Sequence, residues 1–427
     1  VPSGGNITLT FTSWNFGDGQ TGDGLVVTNI YAAPGAYTVS LSISNNTGES
    51  ASATNVNYIT VWGDYAYVSQ ASPAPTAPYH SWSNAAHSLP NAVSESFAGM
   101  TVVVSNGTYN VPAEIAITKA LTVTSFGNGS FGGLANASNT VVNHSGSSGR
   151  VFNLGDPDVL LSGLTITGGS GRGVSGKGVY MTGGLVRDCI VKQNGSGSDA
   201  ADGLSIGGGI YMTGGVVSNC TIEANEITEN DGGAGIYAQG ASRILHSRII
   251  GNKQQQSHDS SGGGIYASGA SVLIRNCLVA GNETKNSGGG IYGGIIENCT
   301  IVSNRTRVAT GGGVYLTGSS SVKNSIVYSN TVNGTADDLN TTVGVTYSCA
   351  GNGNTVGGNI TDEPQFVDLA GGDYRVVRTS PCIDAGDSSI VTWLIDLAGN
   401  ARIADDAVEM GAYETLVVPP GTIFRFR

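Results

Sequence analysis

Short runs of alternating apolar and polar residues fill this chain, and glycine or asparagine interrupts nearly every one of them. Period-two alternation predicts half-buried strands rather than helices. Residues 1–62 read this way, as NITLTFTSWNFGDG, LVVTNIYAAPGAYTVSLSISNNTGES and NVNYITVW. From 63 to 119 the pattern loosens into a Pro-punctuated extended stretch. A short helical pattern follows at HSLPNAVSESF, then a strand, MTVVVSNGTY, with an Asn-Gly turn.

Between Gly176 and Asn330 one phrase returns six times: a glycine cluster, an aliphatic residue, a tyrosine, a short turn, and a Cys or Ser strand ending in Asn. Its tyrosines are Tyr180, Tyr211, Tyr237, Tyr266, Tyr292 and Tyr315, spaced 31, 26, 29, 26 and 23 residues apart. A period in the twenties with variable insertions indicates stacked coils, none of which buries its apolar face alone. Stacking at about 4.8 Å sets identical residues above one another in parallel sheets. Cys189, Cys220, Ser247, Cys277, Cys299 and Ser325 then share one position, as small residues at a crowded inward site. Asn194, Asn225, Asn252, Asn282, Asn304 and Asn330 share another, where Asn ladders through its side-chain amide and tolerates left-handed backbone. The earlier stretches AITKALTVTSFG and DVLLSGLTITGG extend the stack, so a solenoid of about nine or ten coils is expected over 115–347. The segment 63–119 would supply its linker and N-terminal cap. A closing segment spans 348–414, and a strand-like tail, TLVVPPGTIFRFR, occupies 415–427.

Composition narrows the function classes. At 427 residues the chain is long enough for two domains. Its 66 glycines lack a collagen period, and 12% charged residues is too few for disorder. A net charge of −12 disfavours nucleic acid and anionic membranes as partners. No apolar run approaches the roughly 18 residues of a transmembrane helix. The chain opens on VPSGGN without a recognisable leader, as a processed or trimmed N-terminus would. The Ser/Thr/Asn/Gly-rich, Lys-poor composition suits a secreted bacterial surface protein.

Two sets of residues carry family resemblances. Trp14-Asn-Phe-Gly-Asp-Gly19 followed by Tyr31-Ala-Ala-Pro-Gly-Ala-Tyr37 resembles the PKD domain, an immunoglobulin-like β-sandwich of extracellular proteins. The resemblance implies a tight turn at Asp18, core positions for Trp14 and Tyr37, and a sandwich short of one strand, because only about 13 residues precede the Trp. The second set is Tyr67-Val-Ser, Pro78-Tyr79, Ser81-Trp82 and Gly107-Thr108-Tyr109 at the front of the solenoid, with DEPQFVD, GDYRVVRTSPCIDAGD, DLAGNAR and VEMGAYE behind it. These motifs resemble bacterial choice-of-anchor Q proteins, right-handed parallel β-helices of the pectin-lyase-like superfamily. The resemblance implies an exported, surface-attached protein and fixes no single chemistry. The superfamily includes polysaccharide lyases and hydrolases as well as adhesins.

Candidate chemistry lies in the loops between each Asn and the next glycine cluster. Stacking brings the acidic residues Asp199, Asp202, Glu226, Glu229 and Asp231 near Lys253, His258, Lys285, Arg305 and Arg307. The acidic end has the ligand type for Ca²⁺, the one cofactor considered, at Asp199, Asp202, Glu229 and Asp231. The basic end has what a lyase needs: Lys285, Arg305 and Arg307 to bind an acidic glycan, and Lys253, His258, Arg305 or Arg307 as catalytic groups. The plainer reading of both is a solvated loop face. The cysteines show no C-x-x-C spacing. Cys189/Cys220 and Cys277/Cys299 read as a buried ladder, and Cys349 with Cys382 as either a disulfide or two thiols. The paired carboxylates Asp337-Asp338 and Asp405-Asp406 would point to opposite faces of a strand and read as structural. His246 takes the place of Asn or Asp in its coil. The tyrosines would stack on one another or line a sugar-binding strip.

The expectation is an all-β protein, an immunoglobulin-like PKD-type sandwich followed by a right-handed parallel β-helix. Its expected role is extracellular: adhesion, display or self-assembly at a bacterial surface. Its partners would be polysaccharide or other surface material, or its own tail added to the sandwich edge of a neighbour. The alternative is a lyase or hydrolase acting on an acidic glycan in the groove.

Overall fold

The computed structural model describes residues 8–171, 173–195, 206–228, 232–254, 260–269, 271–404 and 406–415. The chain forms two compact units, Val1–Val104 and Ser105–Arg427.

The first unit begins with β1 (Leu9–Asn15), β2 (Thr21–Asp23), β3 (Gly35–Asn45) and β4 (Ser50–Val61). They form one antiparallel sheet in the order β2-β1-β3-β4. The turn between β1 and β2 is built as the motif implies. Asp18 accepts the Gln20 N–H at 2.9 Å and the Asn29 side chain at 2.8 Å, and Gly17 and Gly19 take positive φ of 81° and 89°. Trp14 and Tyr37, expected in a core, are instead half-buried. The strands described for residues 8–62 pair into one sheet. Trp14 donates to the Gly24 carbonyl at 3.1 Å, and Tyr37 packs on Tyr31 with ring centroids 4.4 Å apart. Beyond this sheet lie β5 (Tyr65–Val68), α1 (Leu89–Glu95) and β6 (Thr101–Ser105). The helix forms where HSLPNAVSESF predicted one and buries Leu89, Ala92 and Val93.

The second unit is a solenoid of parallel strands. One coil illustrates the repeat: Ile236–Gln239, Arg243–Leu245, Arg248–Ile250 and Lys253–Gln254. Each strand pairs in register with its counterpart in the next coil, so Tyr237 faces Tyr266 and Ile249 faces Val279. The sheet containing Arg248–Ile250 has ten rungs, from Gly107–Val111 to Cys349–Ala350. Central residues of two successive strands point inward and stack as fully buried apolar columns. One column is Val186, Val217, Ile244, Ile274, Ile296 and Val322; the other is Val191, Ile222, Ile249, Val279, Ile301 and Val327. Between these strands a single residue turns the corner in the left-handed region: Asp188, Asn219, His246, Asn276, Asn298 or Asn324, with φ between 47° and 56°. Asp and Asn tolerate this conformation best, and His246 follows them, its ring nitrogen 3.3 Å from the Ile395 carbonyl.

The glycine clusters have a steric origin. Gly262 has φ 68°, and a Cβ on Gly264 would lie 2.7 Å from the Gly290 carbonyl and 3.0 Å from the Asn282 side chain. The cluster is therefore where the backbone closes onto the asparagine ladder.

The closing segment packs on the later coils. Phe366–Asp368 pairs with Asp373–Val376, and Leu397 and Ala412 bury against Leu278, Ala280 and Val302. Arg402, only 1% exposed, donates to the carbonyls of Glu409 and Gly411 at 3.1 and 2.7 Å.

Candidate functional site

A fourth, short sheet follows the asparagine ladder and leads into the variable loops. Its strands are Glu226–Ile227, Lys253–Gln254, Glu283–Thr284, Arg305–Thr306, Thr331–Val332 and Thr335–Ala336. Parallel register aligns Glu226 with Lys253, Lys253 with Glu283, and Glu283 with Arg305. Charges thus alternate from coil to coil. The predicted cations Lys253, Arg305 and Arg307 do come together, around a residue that sequence reasoning passed over. The Glu283 side chain is 6% exposed and takes Arg307 Nε at 2.6 Å on one oxygen and the Arg305 guanidinium on the other. Burial pushes its carboxyl up, but the two arginine hydrogen bonds outweigh this and hold it below the usual range. Arg307 also donates to the Gln254 carbonyl at 3.1 Å. Lys285 is half-buried, and its backbone N–H bonds to Gln254 Oε1 at 2.9 Å. Both arginine side chains stay partly open to solvent, 62% and 44% exposed. This arrangement can hold an anion, but its strongest positive charges are already opposed by a carboxylate.

Asp199, Asp202, Glu229, Asp231 and His258 lie outside the described residues. Among the described residues no group of three or more His, Cys, Asp or Glu is placed to hold a metal ion. No helix among them is long and apolar enough to cross a membrane.

The repeat residues pack as ladders. Asn194, Asn225, Asn252, Asn282 and Asn304 each donate through Nδ2 to Oδ1 of the next Asn at 2.9–3.0 Å, ending on Asn330. Asn330 in turn donates to Asp338 Oδ1 at 2.9 Å, so Asp338 terminates the ladder. All six cysteines are buried free thiols. The backbone N–H groups of Cys220 and Cys299 donate to the Ser247 and Ser325 hydroxyls of the next rung, at 3.1 and 3.0 Å. Cys349 and Cys382 meet as thiols within one apolar cluster. The six tyrosines form a continuous stack, with centroids 4.6–5.4 Å apart and interplanar angles of 3–18°. Arg150 sits over the first ring at 4.7 Å. Their faces cover one another, leaving ring edges rather than faces for any sugar.

The closing segment holds a second charged group that the sequence did not suggest. Arg402 lies 3.4 Å from Glu414, and Glu409 accepts the Thr415 N–H at 2.8 Å. Burial drives Glu409 up to about 7 and Glu414 up to about 8. A cleft of about 610 Å³ opens beside Glu414, lined by Val367, Arg375, Arg378 and Asn400. The Glu414 side chain turns inward to Arg402, and Arg375 is bound to Asp373 at 2.8 Å.

A family model of the PKD domain matches residues 3–61, and one of the right-handed β-helix region matches residues 207–361. The chain is a PKD domain followed by a right-handed β-helix. Among solved structures, pectate lyase Pel9A is similar at 15% identity and a TM-score of 0.52, covering 82% of this chain and 96% of its own. A rhamnogalacturonan lyase is similar at 14% identity and a TM-score of 0.40, covering 72% and 92%. At such identities the likeness concerns the β-helix fold alone. Comparison with well-characterised proteins finds no sequence match.

Proposed function

We propose that this β-helix protein is a non-catalytic extracellular scaffold that displays or assembles material at a bacterial surface. The observation that carries the reading is the capture of Arg305 and Arg307 by Glu283. In lyase chemistry a cation neutralises the substrate carboxylate while a base removes the neighbouring proton. Here one carboxylate of the protein binds both cations and offsets one of their two charges, and the ladder residues of the repeat are committed to packing. The PKD domain and the pectate-lyase-like fold support an extracellular setting.

Turnover of a panel of uronate polysaccharides tests the proposal, followed by absorbance of the unsaturated product and by reducing ends. No cleavage is expected. Cleavage that is lost on changing Lys253, Arg305 or Arg307 would assign a glycan lyase or hydrolase instead.

A further inference from the structure

Among the described residues, the sheet of the PKD domain has an open stretch beside β1. β2 pairs only with Ser13–Asn15 of β1, so no described strand lies along that side of β1 from Thr8 to Phe11. The gap is a slot of about 560 Å³ lined by Thr8–Thr12, Asp23, Gly24 and Leu25. Its apolar side chains face solvent: Leu9 is 53% exposed, Phe11 52% and Leu25 76%. Among the described residues of 8–62, Phe16 and Val39 are the only buried apolar side chains larger than alanine. Thr8 already bonds Asn46 through its N–H and carbonyl, and the Thr12 carbonyl accepts the Gly24 N–H, so the open stretch is Leu9–Phe11. A strand-wide opening with bare apolar residues invites another strand.

The sequence holds a segment of matching chemistry. Residues 1–62 contain Asp18, Asp23 and Glu49 and no Lys or Arg. The tail Gly421-Thr-Ile-Phe-Arg-Phe-Arg427 contains two arginines and no acid. It lies outside the described residues, and its period-two pattern would place Phe424 and Phe426 on one face of a strand, Arg425 and Arg427 on the other. Apolar residues meet a bare apolar slot, and a basic segment meets an acidic one.

We propose that residues 421–427 of a second copy of this chain add as a strand along Leu9–Phe11 of the PKD sheet. Phe424 and Phe426 cover Leu9, Phe11 and Leu25, and the arginines fall on the opposite face of the sheet. Main-chain hydrogen bonds supply affinity and the alternate side chains supply register. Donor and acceptor lie on different parts of the chain, so the contact is heterologous, and its repetition links copies head to tail. This deepens the assembly role proposed above.

Sedimentation velocity over a wide concentration range tests it, on the full chain, on a chain lacking residues 416–427, and on Phe424→Asp. The full chain associates with rising concentration, and association weakens with salt. The other two remain monomeric with unchanged circular dichroism. A synthetic peptide of residues 416–427 binds the shortened chain, and Leu25→Glu weakens that binding by more than about tenfold. A monomeric full chain, association that persists without the tail, or a peptide that does not bind would each overturn the proposal. A peptide that binds the shortened chain while the full chain stays monomeric would mean the tail docks within its own chain, which overturns it too. Polysaccharide turnover is read independently on the same proteins, so failure of the scaffold reading is told apart from failure of the strand addition.

Discussion

Asn282 is fully buried, and its side chain joins four hydrogen bonds. Nδ2 donates to Asn304 Oδ1 and the Ile249 carbonyl, while Oδ1 accepts Nδ2 and the backbone N–H of Asn252, all at 2.9 Å. Alanine there leaves several buried groups unpaired, so Asn282→Ala should cost about 2–4 kcal/mol in urea unfolding. Asp338 needs a different argument. As the last rung it only accepts, with Oδ1 on Asn330 and Oδ2 on the Gly351 N–H at 3.1 Å. Asp338→Asn keeps the first contact and sets an NH₂ against the second, so a smaller loss of about 1 kcal/mol is expected. The ladder was legible because its members recur once per coil. Asp338 was not, because it follows Asn330 by eight residues through a small hairpin, and no period points to it. The cysteines obey the same register. Being buried, they should stay unreactive toward a thiol reagent in native buffer and react only in denaturant.

At the scale of the strand, register decided what sequence distance could not. The loops between ladder and glycine cluster gave a mixed set of charges, and the strands sorted them into an alternating row in which Glu283 serves two arginines. Both arginines are more than a third exposed, so water screens the pairs and little stability rests on them. Glu283→Ala should lower stability by less than about 1 kcal/mol. It should also free two guanidinium groups, so retention on an immobilised anionic polysaccharide should rise relative to the parent protein. Unchanged retention would mean that the arginines find other partners. The PKD motif was legible down to the turn made by Asp18. Trp14 and Tyr37 are half-buried and not core, because sequence within one strand reports which residues share a face and not how deeply that face is covered.

Across the β-helix unit, the closing segment ties residues far apart in sequence. Asn298 donates to the Glu409 carbonyl, Ala412 to Thr300, and Arg402 to the Asn276 side chain, so the segment is fastened to coils more than a hundred residues earlier. The motifs DLAGNAR and VEMGAYE marked its place, but its burial comes from contact with those coils, which is why its two proton-holding glutamates escaped a reading by motif. Their consequence is a stability that depends on pH. Glu409 and Glu414 titrate near 7 and 8 when folded, against an ordinary value of 4.5. Between those limits the folded chain keeps protons that the unfolded chain has released, so stability falls as pH rises through the window and levels off above about 8. Carboxyls held low act elsewhere. Asp387, bonded to Lys323 and held down to about 2, contributes stability that is lost only in stronger acid. The melting temperature should therefore decline from about pH 5 to pH 8, and Glu414→Gln, which cannot ionise, should flatten the decline. If the parent protein and the glutamine variant show the same slope, Glu414 is already ionised beside Arg402 in the folded chain, and the closing segment is held by an ion pair instead of a buried acid.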